Sequence, residues 1–173
     1  MSARAPLDVA ALADDTPVIV GVGQHVERDP ADSTLSPVAL AAVACGKALA
    51  DSGRGAALAD VVDTVAAIRF FDHSTKGGKM VAHPFGCSDN VPRAIARRVG
   101  IVPRRAIYAD VGGQTPQRLV NRFCAEIQRG ETRAVLLGGA EAIATIKHAA
   151  RTGRAFDWRE EVGGDCIDEW ETD

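Results

Sequence analysis

Short apolar runs bounded by turn residues recur along this chain, and each predicts a strand buried on both faces. These runs are 17–23, 61–70, 104–111 and 134–138. Between and after them lie four stretches with apolar positions at helical spacing or with many alanines, which predict helices. These stretches are 37–52, 90–99, 115–129 and 141–152. The order β-α-β-α-β-α-β-α predicts an α/β fold with a mostly parallel sheet and helices on both faces.

Three predicted helices begin with the same local signal, a capping side chain followed by proline. The signals are Ser36 with Pro37, Asp89 or Asn90 with Pro92, and Thr115 with Pro116. A capping oxygen accepts a hydrogen bond from a free backbone N–H, and proline fits the first turn because no N–H is needed there. We therefore expect a side-chain cap at the start of each of these helices.

The two ends of the chain differ from its middle. Residues 1–15 are small, mixed and unpatterned, which predicts a flexible N-terminal tail, whereas residues 16–155 contain all the predicted elements. Residues 156–173 form an acidic tail, with eight acidic residues from Asp157 onward against the single basic residue Arg159. Dense like charge with little apolar periodicity predicts a loop that does not pack by itself.

Composition and charge are those of an ordinary globular domain and exclude several classes of protein. With 173 residues, 46% of them hydrophobic and 25% charged, one folded domain is expected. No apolar run approaches the ~20 residues of a membrane span. The net charge of −3 and the 5% aromatic content argue against a nucleic-acid binder. Because the cysteines have no CxxC spacing and no secretion signal precedes them, we expect reduced thiols in a cytoplasmic protein.

The strongest candidate for a functional site is the turn 110–116, which reads Asp-Val-Gly-Gly-Gln-Thr-Pro. Consecutive glycines let a ligand approach the backbone closely, and the N-terminus of the next helix offers N–H groups and a positive dipole end. The turn follows a predicted parallel strand, at whose carboxyl end open α/β sheets bind ligands. We interpret Gly112, Gly113, Gln114 and Thr115 as an oxyanion or carbonyl site; a tight connection with glycine for packing only is the alternative.

A second candidate is the histidine-bearing loop after the second predicted strand. Cys87 precedes a helix start whose dipole would favour a thiolate, and His83 is near enough in sequence to act as its base; an unreactive loop thiol is the alternative. His73, Asp72 and Asp89 could in principle join them around a metal ion. The spacing H-x9-H-x3-C matches no compact zinc pattern, so no metal is expected.

Two further patterns carry weaker signals. Gly21 and Gly23 after a strand invite a dinucleotide-binding interpretation, but Val26 stands where the third glycine is needed, so a simple strand end is favoured. Cys45 and Cys124 lie on apolar helix faces and are predicted to be small core residues.

Five arginines fall within one predicted helix and the loop after it. They are Arg93, Arg97, Arg98, Arg104 and Arg105. Such a patch could hold phosphates, including those of a nucleotide-like cofactor. A solvated helix face paired with carboxylates, of which the acidic tail offers many, is the alternative.

Several of these segments resemble the thiolase superfamily, especially its sterol-carrier-protein-type and thiolase-like branches. Residues 16–24 (TPVIVGVGQ) resemble the first strand of thiolases, 36–53 their first long helix, and 90–100 the helix before the nucleophile strand. The segments 126–130 (EIQRG) and 134–142 (AVLLGGAEA) are similar to the family's helix, strand and GGxE turn, and are the most specific. The resemblance covers the domain between the two tails and implies the N-terminal part of a layered α/β/α fold.

The resemblance implies acyl-CoA chemistry, with a coenzyme A thioester as substrate and no metal. The acyl-accepting cysteine of thiolases falls at Gly113, and the motifs of the family's second half (NEAF-like, GHP-like and C-x-G) do not occur. We therefore expect an acetyl-CoA acetyltransferase-like domain of lipid metabolism without its nucleophile and second catalytic half, as a fragment or a subunit completed by another chain. The alternative is a non-catalytic module that binds acyl-CoA or a partner subunit. A homo- or hetero-oligomer formed through the thiolase-like fold is a further expectation.

Overall fold

The computed structural model describes residues 11–73 and 84–169, and within them five helices and four strands. The helices are α1 (Pro37–Asp51), α2 (Gly55–Ala59), α3 (Val91–Arg98), α4 (Thr115–Gln128) and α5 (Ile143–Thr152). The strands are β1 (Thr64–Ile68), β2 (Arg105–Ala109), β3 (Val135–Gly138) and β4 (Ile167–Asp168). All four strands pair in parallel in the order β3-β1-β2-β4, which confirms the predicted α/β class with a parallel sheet.

β1 lies at the centre of the sheet because both of its edges are paired. Thr64 is in register with Arg105 of β2 and with Val135 of β3. The first four residues of β1 are all buried. A strand covered on both faces and both edges is apolar without alternation, and the one polar side chain of β1, Thr64 at its start, has hydrogen-bond partners in Asp63 and Thr132.

Apolar side chains attach helices to opposite faces of the sheet. On one face, Val65 and Ala67 of β1 belong to a large buried cluster with residues of α1 and α3. Cys45 of α1 is part of this cluster, so its predicted place in the core is confirmed. On the other face, Ala66 of β1 and Ile107 and Ala109 of β2 contact Leu119 and Phe123 of α4.

The helix starts at α1 and α3 follow the predicted capping pattern. The hydroxyl of Ser36 accepts a hydrogen bond of 3.1 Å from the N–H of Ala39, with Pro37 in the first turn. The side-chain oxygen of Asn90, rather than that of Asp89, accepts a bond of 3.3 Å from the N–H of Arg93. No helix in residues 11–73 and 84–169 is long and apolar enough to cross a bilayer.

The first predicted strand, 17–23, is wrong, because the structure gives this segment no regular secondary structure and no strand partner among the described residues. The segment lies against α1 instead. A Cβ at Gly21 or Gly23 would overlap with backbone atoms of α1, so only glycine permits this close approach. As a result large apolar side chains face solvent, with Ile19 78% exposed. No helix begins directly after Gly23, since the next helix, α1, begins at Pro37. This also argues against the dinucleotide-binding interpretation.

The described part of the acidic tail, 156–169, packs on other elements of the chain. Trp158 is buried, and its indole N–H donates to the carbonyl of Thr34 at 3.1 Å. The Glu160 carboxylate pairs with both Arg97 and Arg98 of α3. Further along, the tail forms β4 beside β2, and Asp168 pairs with the buried Arg69. Basic partners on other elements neutralise these carboxylates, which the local charge density does not reveal.

An ion-pair network joins α4 to β2 and to the end of the described tail. Glu126 of α4 is buried and pairs with Arg105 of β2 and with Arg122 one turn earlier on α4. Arg122 also pairs with Glu169, directly after β4. Burial alone would raise the pKa of Glu126, but the hydrogen bonds and charges of the two arginines outweigh it and lower the pKa below its usual value.

We expect Glu126→Gln to destabilise the fold by about 2 kcal/mol at pH 7, between the values typical of exposed and of buried ion pairs. Because the pKa of Glu126 is lowered on folding, its contribution is fully present above the unfolded pKa and is lost as the pH falls through the folded pKa. The difference in free energy of unfolding between wild type and Glu126→Gln, measured by urea titration, should therefore shrink below about pH 4.

Glu131→Gln is the matched control, since Glu131 is half exposed and forms only a surface pair with Arg129. Its effect should stay within about 0.5 kcal/mol. Equal effects of the two substitutions at pH 7 would contradict a structural role for the Glu126 pairs.

Candidate functional site

The turn 110–115 connects the carboxyl end of β2 directly to the first residue of α4. Asp110 and Thr115, at its two ends, are buried, whereas Gly113 and Gln114 at its centre are exposed. The structure thus places Gly112, Gly113, Gln114 and Thr115 together at the edge of the sheet where parallel α/β folds bind ligands. Whether they bind one remains a prediction.

The two glycines of the turn have different surroundings. A Cβ at Gly113 would meet no atom within 4 Å outside its chain neighbours, so this position is open. A Cβ at Gly112 would lie 2.9 Å from the Oε1 atom of Gln114, whose carboxamide therefore lies over the Gly112 backbone. The space beside Gly113 could hold a side chain, but glycine has none, so the space stays open.

The start of α4 departs from the predicted cap. Thr115 is the first residue of the helix, and the cap position is Gln114, which makes no side-chain capping bond. The N–H of Thr115 donates to the carbonyl of Gly112 at 3.2 Å, and Pro116 has no N–H. Of the first three helical residues only Gln117 therefore keeps its N–H for a ligand, which is fewer donors than the sequence predicted.

Two buried polar atoms at this helix start have no hydrogen-bond partner among the residues that the structure describes. The Asp110 carboxylate accepts a bond of 3.1 Å from Arg118 through its Oδ2 atom, but its Oδ1 atom has none. The hydroxyl of Thr115, on a residue that is 0% exposed, is also without a partner. The sequence gives no signal for this pair, because Thr115 reads as a cap and Asp110 as the end of a strand.

Cys87 does not have the surroundings of a nucleophile. Burial raises the pKa of its thiol to about 11, and the nearby charge of Glu160 adds to this, although a hydrogen bond from the N–H of Ser88 works the other way. The expected dipole of the following helix therefore does not produce a thiolate here. His83, its candidate base, lies outside the described residues.

Two of the other cysteines also have a raised thiol pKa. All four are free thiols, and burial raises the pKa of Cys45 to about 11. Burial also raises the pKa of Cys166, although the residue as a whole is exposed. Cys124 on α4 is half-buried, so the prediction that it is a core residue is only partly confirmed.

The candidate metal ligands do not converge. His73 is buried and shares a hydrogen bond of 2.8 Å with the hydroxyl of Tyr108. The Asp89 carboxylate accepts bonds from the N–H groups of Val162 and Gly163 in the tail. Within residues 11–73 and 84–169 no three histidine, cysteine or acidic side chains are grouped as metal ligands would be. The side chain of Asp72 lies outside the described part of the chain.

His73 instead belongs to a buried polar cluster that the sequence did not reveal. The hydroxyl of Tyr108 accepts a bond of 3.2 Å from the N–H of Phe70 and shares a hydrogen bond of 2.8 Å with Nδ1 of His73. The guanidinium of Arg69 lies 4.3 Å from the centre of the Tyr108 ring. These bonds fix the backbone that follows β1.

All five clustered arginines form hydrogen bonds or ion pairs with other groups of the chain. This favours the alternative of a paired helix face over a phosphate site. Arg97 and Arg98 pair with Glu160, as the sequence interpretation allowed for the acidic tail. Arg93 donates to the carbonyl of Asp165 at 2.7 Å. Arg104 donates to a backbone carbonyl and Arg105 to a carboxylate, those of Glu131 and Glu126 respectively.

The chain is similar in fold and sequence to a solved structure. This is the crystal structure of a monomeric SCP2-thiolase-like protein type 1 from Mycobacterium smegmatis, 36% identical, with a TM-score of 0.58. The match covers 73% of this chain but 23% of that protein, so the chain spans about a quarter of its relative's length. No family model and no curated protein matches. The chain is thus a thiolase-like domain related to the SCP2-thiolase-like branch of the thiolase superfamily.

Proposed function

We propose that this domain recognises the thioester group of an acyl-CoA at the turn formed by Gly112, Gly113, Gln114 and Thr115, without forming a covalent acyl-enzyme. The observation that carries the proposal is the open position of Gly113 in front of α4. The resemblance to thiolases implies that the acyl-accepting residue would fall at this position, which supports the proposal. A position with room for a ligand but without a nucleophile supports binding and not covalent transfer.

Covalent acyl transfer requires a thiol or hydroxyl that can attack the thioester carbonyl. Glycine has neither, and the hydroxyl of Thr115, two residues later, is fully buried. Cys87 is held as a thiol by its raised pKa. None of these residues therefore supports a covalent intermediate formed by the described part of the chain.

Recognition of a carbonyl needs only correctly placed donors. The N–H of Gln117 points out of the first turn of α4, where the helix dipole favours a partial negative charge. The absence of a side chain at Gly113 leaves the approach to this N–H open. The oxygen of a thioester carbonyl can accept a hydrogen bond from it.

The wider function extends beyond this chain. Because the chain spans about a quarter of the relative's length, we propose that any acetyltransferase-like turnover in lipid metabolism, and the cytoplasmic setting that goes with it, depends on a further thiolase-like half. That half would come from a longer chain or from a partner subunit. A module that binds acyl-CoA without turnover is the alternative, and the exposed segment 17–23 offers an apolar surface for a partner.

The binding proposal is tested by the size of the side chain at position 113. Gly113→Val should weaken binding of acetyl-CoA, measured by calorimetry, by about tenfold or more, because its branched side chain occupies the space in front of α4. Gly113→Ala is the control, since its Cβ alone meets no atom within 4 Å, and should change the affinity little. If neither variant changed the affinity for acetyl-CoA, the binding proposal would be contradicted, and the turn would only connect β2 to α4.

The absence of a nucleophile is tested by chemical modification. Incubation with acetyl-CoA should leave no added acetyl mass on the wild-type chain under denaturing mass spectrometry. At a pKa of about 11 only about 10⁻⁴ of the Cys87 thiol is ionised at pH 7, so iodoacetamide should react slowly with it. Gly113→Cys places an exposed thiol at a helix start and should react faster than any native cysteine. Rapid acylation or alkylation of wild-type Cys87 would show that Cys87 is the nucleophile instead.

A further inference from the structure

The segment 17–23 keeps large apolar side chains in solvent and leaves its backbone unpaired. Its four large aliphatic side chains are each more than half exposed, at 57% for Val18, 78% for Ile19, 53% for Val20 and 67% for Val22. Residues 16–29 run without a helix, turn or bend, so the chain is extended here. Within the described residues, no backbone group bonds to the N–H and C=O groups of 17–23. The segment therefore has the composition and the unpaired edge of a strand.

One edge of the segment already faces α1. The N–H of Val22 donates to Oδ2 of Asp51 at 3.0 Å, and the carbonyl of Gln24 accepts from Nζ of Lys47 at 3.2 Å. In an extended chain, residues two apart direct their backbone groups to the same edge, and the residues between them direct theirs to the opposite edge. The backbone groups of the odd-numbered residues from 19 to 23 therefore point away from these α1 side chains and form a free edge.

This free edge lacks the features that usually keep strands from pairing with other chains. Natural edge strands carry charged side chains, prolines or bulges. Residues 16–24 contain no charged side chain, and their one proline, Pro17, stands near the start. Two copies of the segment can therefore meet without charge repulsion, and their pairing removes β-branched side chains from water.

We propose that two copies of this chain form a dimer in which their 17–23 segments pair as antiparallel strands. A two-fold axis brings the same free edge of both copies together. Because α1 side chains occupy the other edge, the pairing closes at two copies and does not extend into a fibre. A two-stranded ribbon needs packing to be stable, and α1 of each copy supplies it through the close approach at Gly21 and Gly23. The turn at Gly113 takes no part, so this inference is independent of thioester recognition.

The sequence favours one register for this pairing. An axis at Val20 places Val20 opposite itself in the second copy and Val18 opposite Val22, so each valine meets a valine. Ile19 and Gly21 then exchange backbone hydrogen bonds along the free edge. The segment is shorter than the about 20–30 residues a side of a standard interface, so the dimer should be weak and depend on protein concentration.

Substitutions at position 20 test both the pairing and its register, by sedimentation equilibrium of the whole chain. Val20→Lys or Val20→Glu places like charges opposite each other across the axis and should weaken the dimer by about tenfold or more. An equimolar mixture of the two variants places lysine opposite glutamate and should associate more tightly than either variant alone. Val102→Lys is the matched control, since Val102 is 93% exposed outside the segment, and should dimerise like the wild type.

Amide hydrogen exchange gives a second readout of the same pairing. Raising the concentration of the wild type should slow exchange of the N–H groups of Ile19 and Gly21, which lie on the free edge. Exchange of the Val20 N–H should not change, because this group points toward α1. Slower exchange at Val20 without any change at Gly21 would contradict the proposed edge.

Three sedimentation results would overturn the dimer. A wild type that stays monomeric at every concentration would show that a second copy does not cover the segment. Equal effects of Val20→Lys and Val102→Lys on association would place the interface elsewhere. A mixture of Val20→Lys and Val20→Glu that associates no more tightly than each variant alone would contradict antiparallel pairing about Val20.

Discussion

The attachment of α4 to β2 is the constraint on which the candidate site depends. Leu119 and Phe123 fix the middle of the helix on the sheet, and Glu126 fixes its last turns through Arg105 of β2. Because α4 is attached to the sheet both at its middle and at its last turns, its first turn cannot move independently of the end of β2. The connection between them is then short, and its centre faces solvent. The open surface at Gly113 follows from this packing as much as from the glycine itself.

The sheet and α4 also carry the arginines that offset the negative charge of the acidic tail. Arg122 of α4 pairs with Glu169, and Arg69, the residue after β1, pairs with Asp168. Arg122 lies on α4 and Arg69 directly follows β1, so both cations belong to elements outside the tail. The two-residue strand β4 then adds backbone pairing to the edge of β2. The tail therefore reinforces the part of the sheet that carries the candidate site.

The start of α4 lacks the side-chain cap found at α1 and α3, although all three helices have a proline in the first turn. Within the described residues, Oδ1 of Asp110 and Oγ1 of Thr115 are buried there without a partner, as are polar atoms of Ser33, Arg105 and Glu169 elsewhere in the fold. Natural sequences violate local rules chiefly where function requires it, so this helix start is where we expect a functional site.

The sequence predicted the elements whose signals are local. The apolar runs of β1, β2 and β3, the caps of α1 and α3, and the glycine turn after β2 were all visible as short patterns. The sequence did not reveal what depends on distant partners. The run 17–23 has strand composition, yet no strand pairs with it in the described structure, and it lies against α1 through Gly21 and Gly23. The tail carries like charges whose partners on other elements lie 47 to 99 residues away, as Arg122 does from Glu169 and Arg69 from Asp168.

The role of Thr115 could not be predicted for the same reason. Its position before Pro116 predicts a cap, but the tight approach of Gly112 lets the N–H of Thr115 bond backward and turns its side chain inward. That outcome is decided by the geometry between β2 and α4, which no short pattern records. The identity of the turn was therefore predictable, and its hydrogen bonding was not.

The most direct test of this account is an NMR titration of the uniformly ¹⁵N-labelled chain with acetyl-CoA, with free coenzyme A as the reference. The account predicts saturable shifts that are largest at the amides of Gly113, Gln114 and Gln117 and that depend on the acetyl group. Shifts that are absent from these amides, or that are identical for coenzyme A and acetyl-CoA, would contradict thioester recognition at the start of α4.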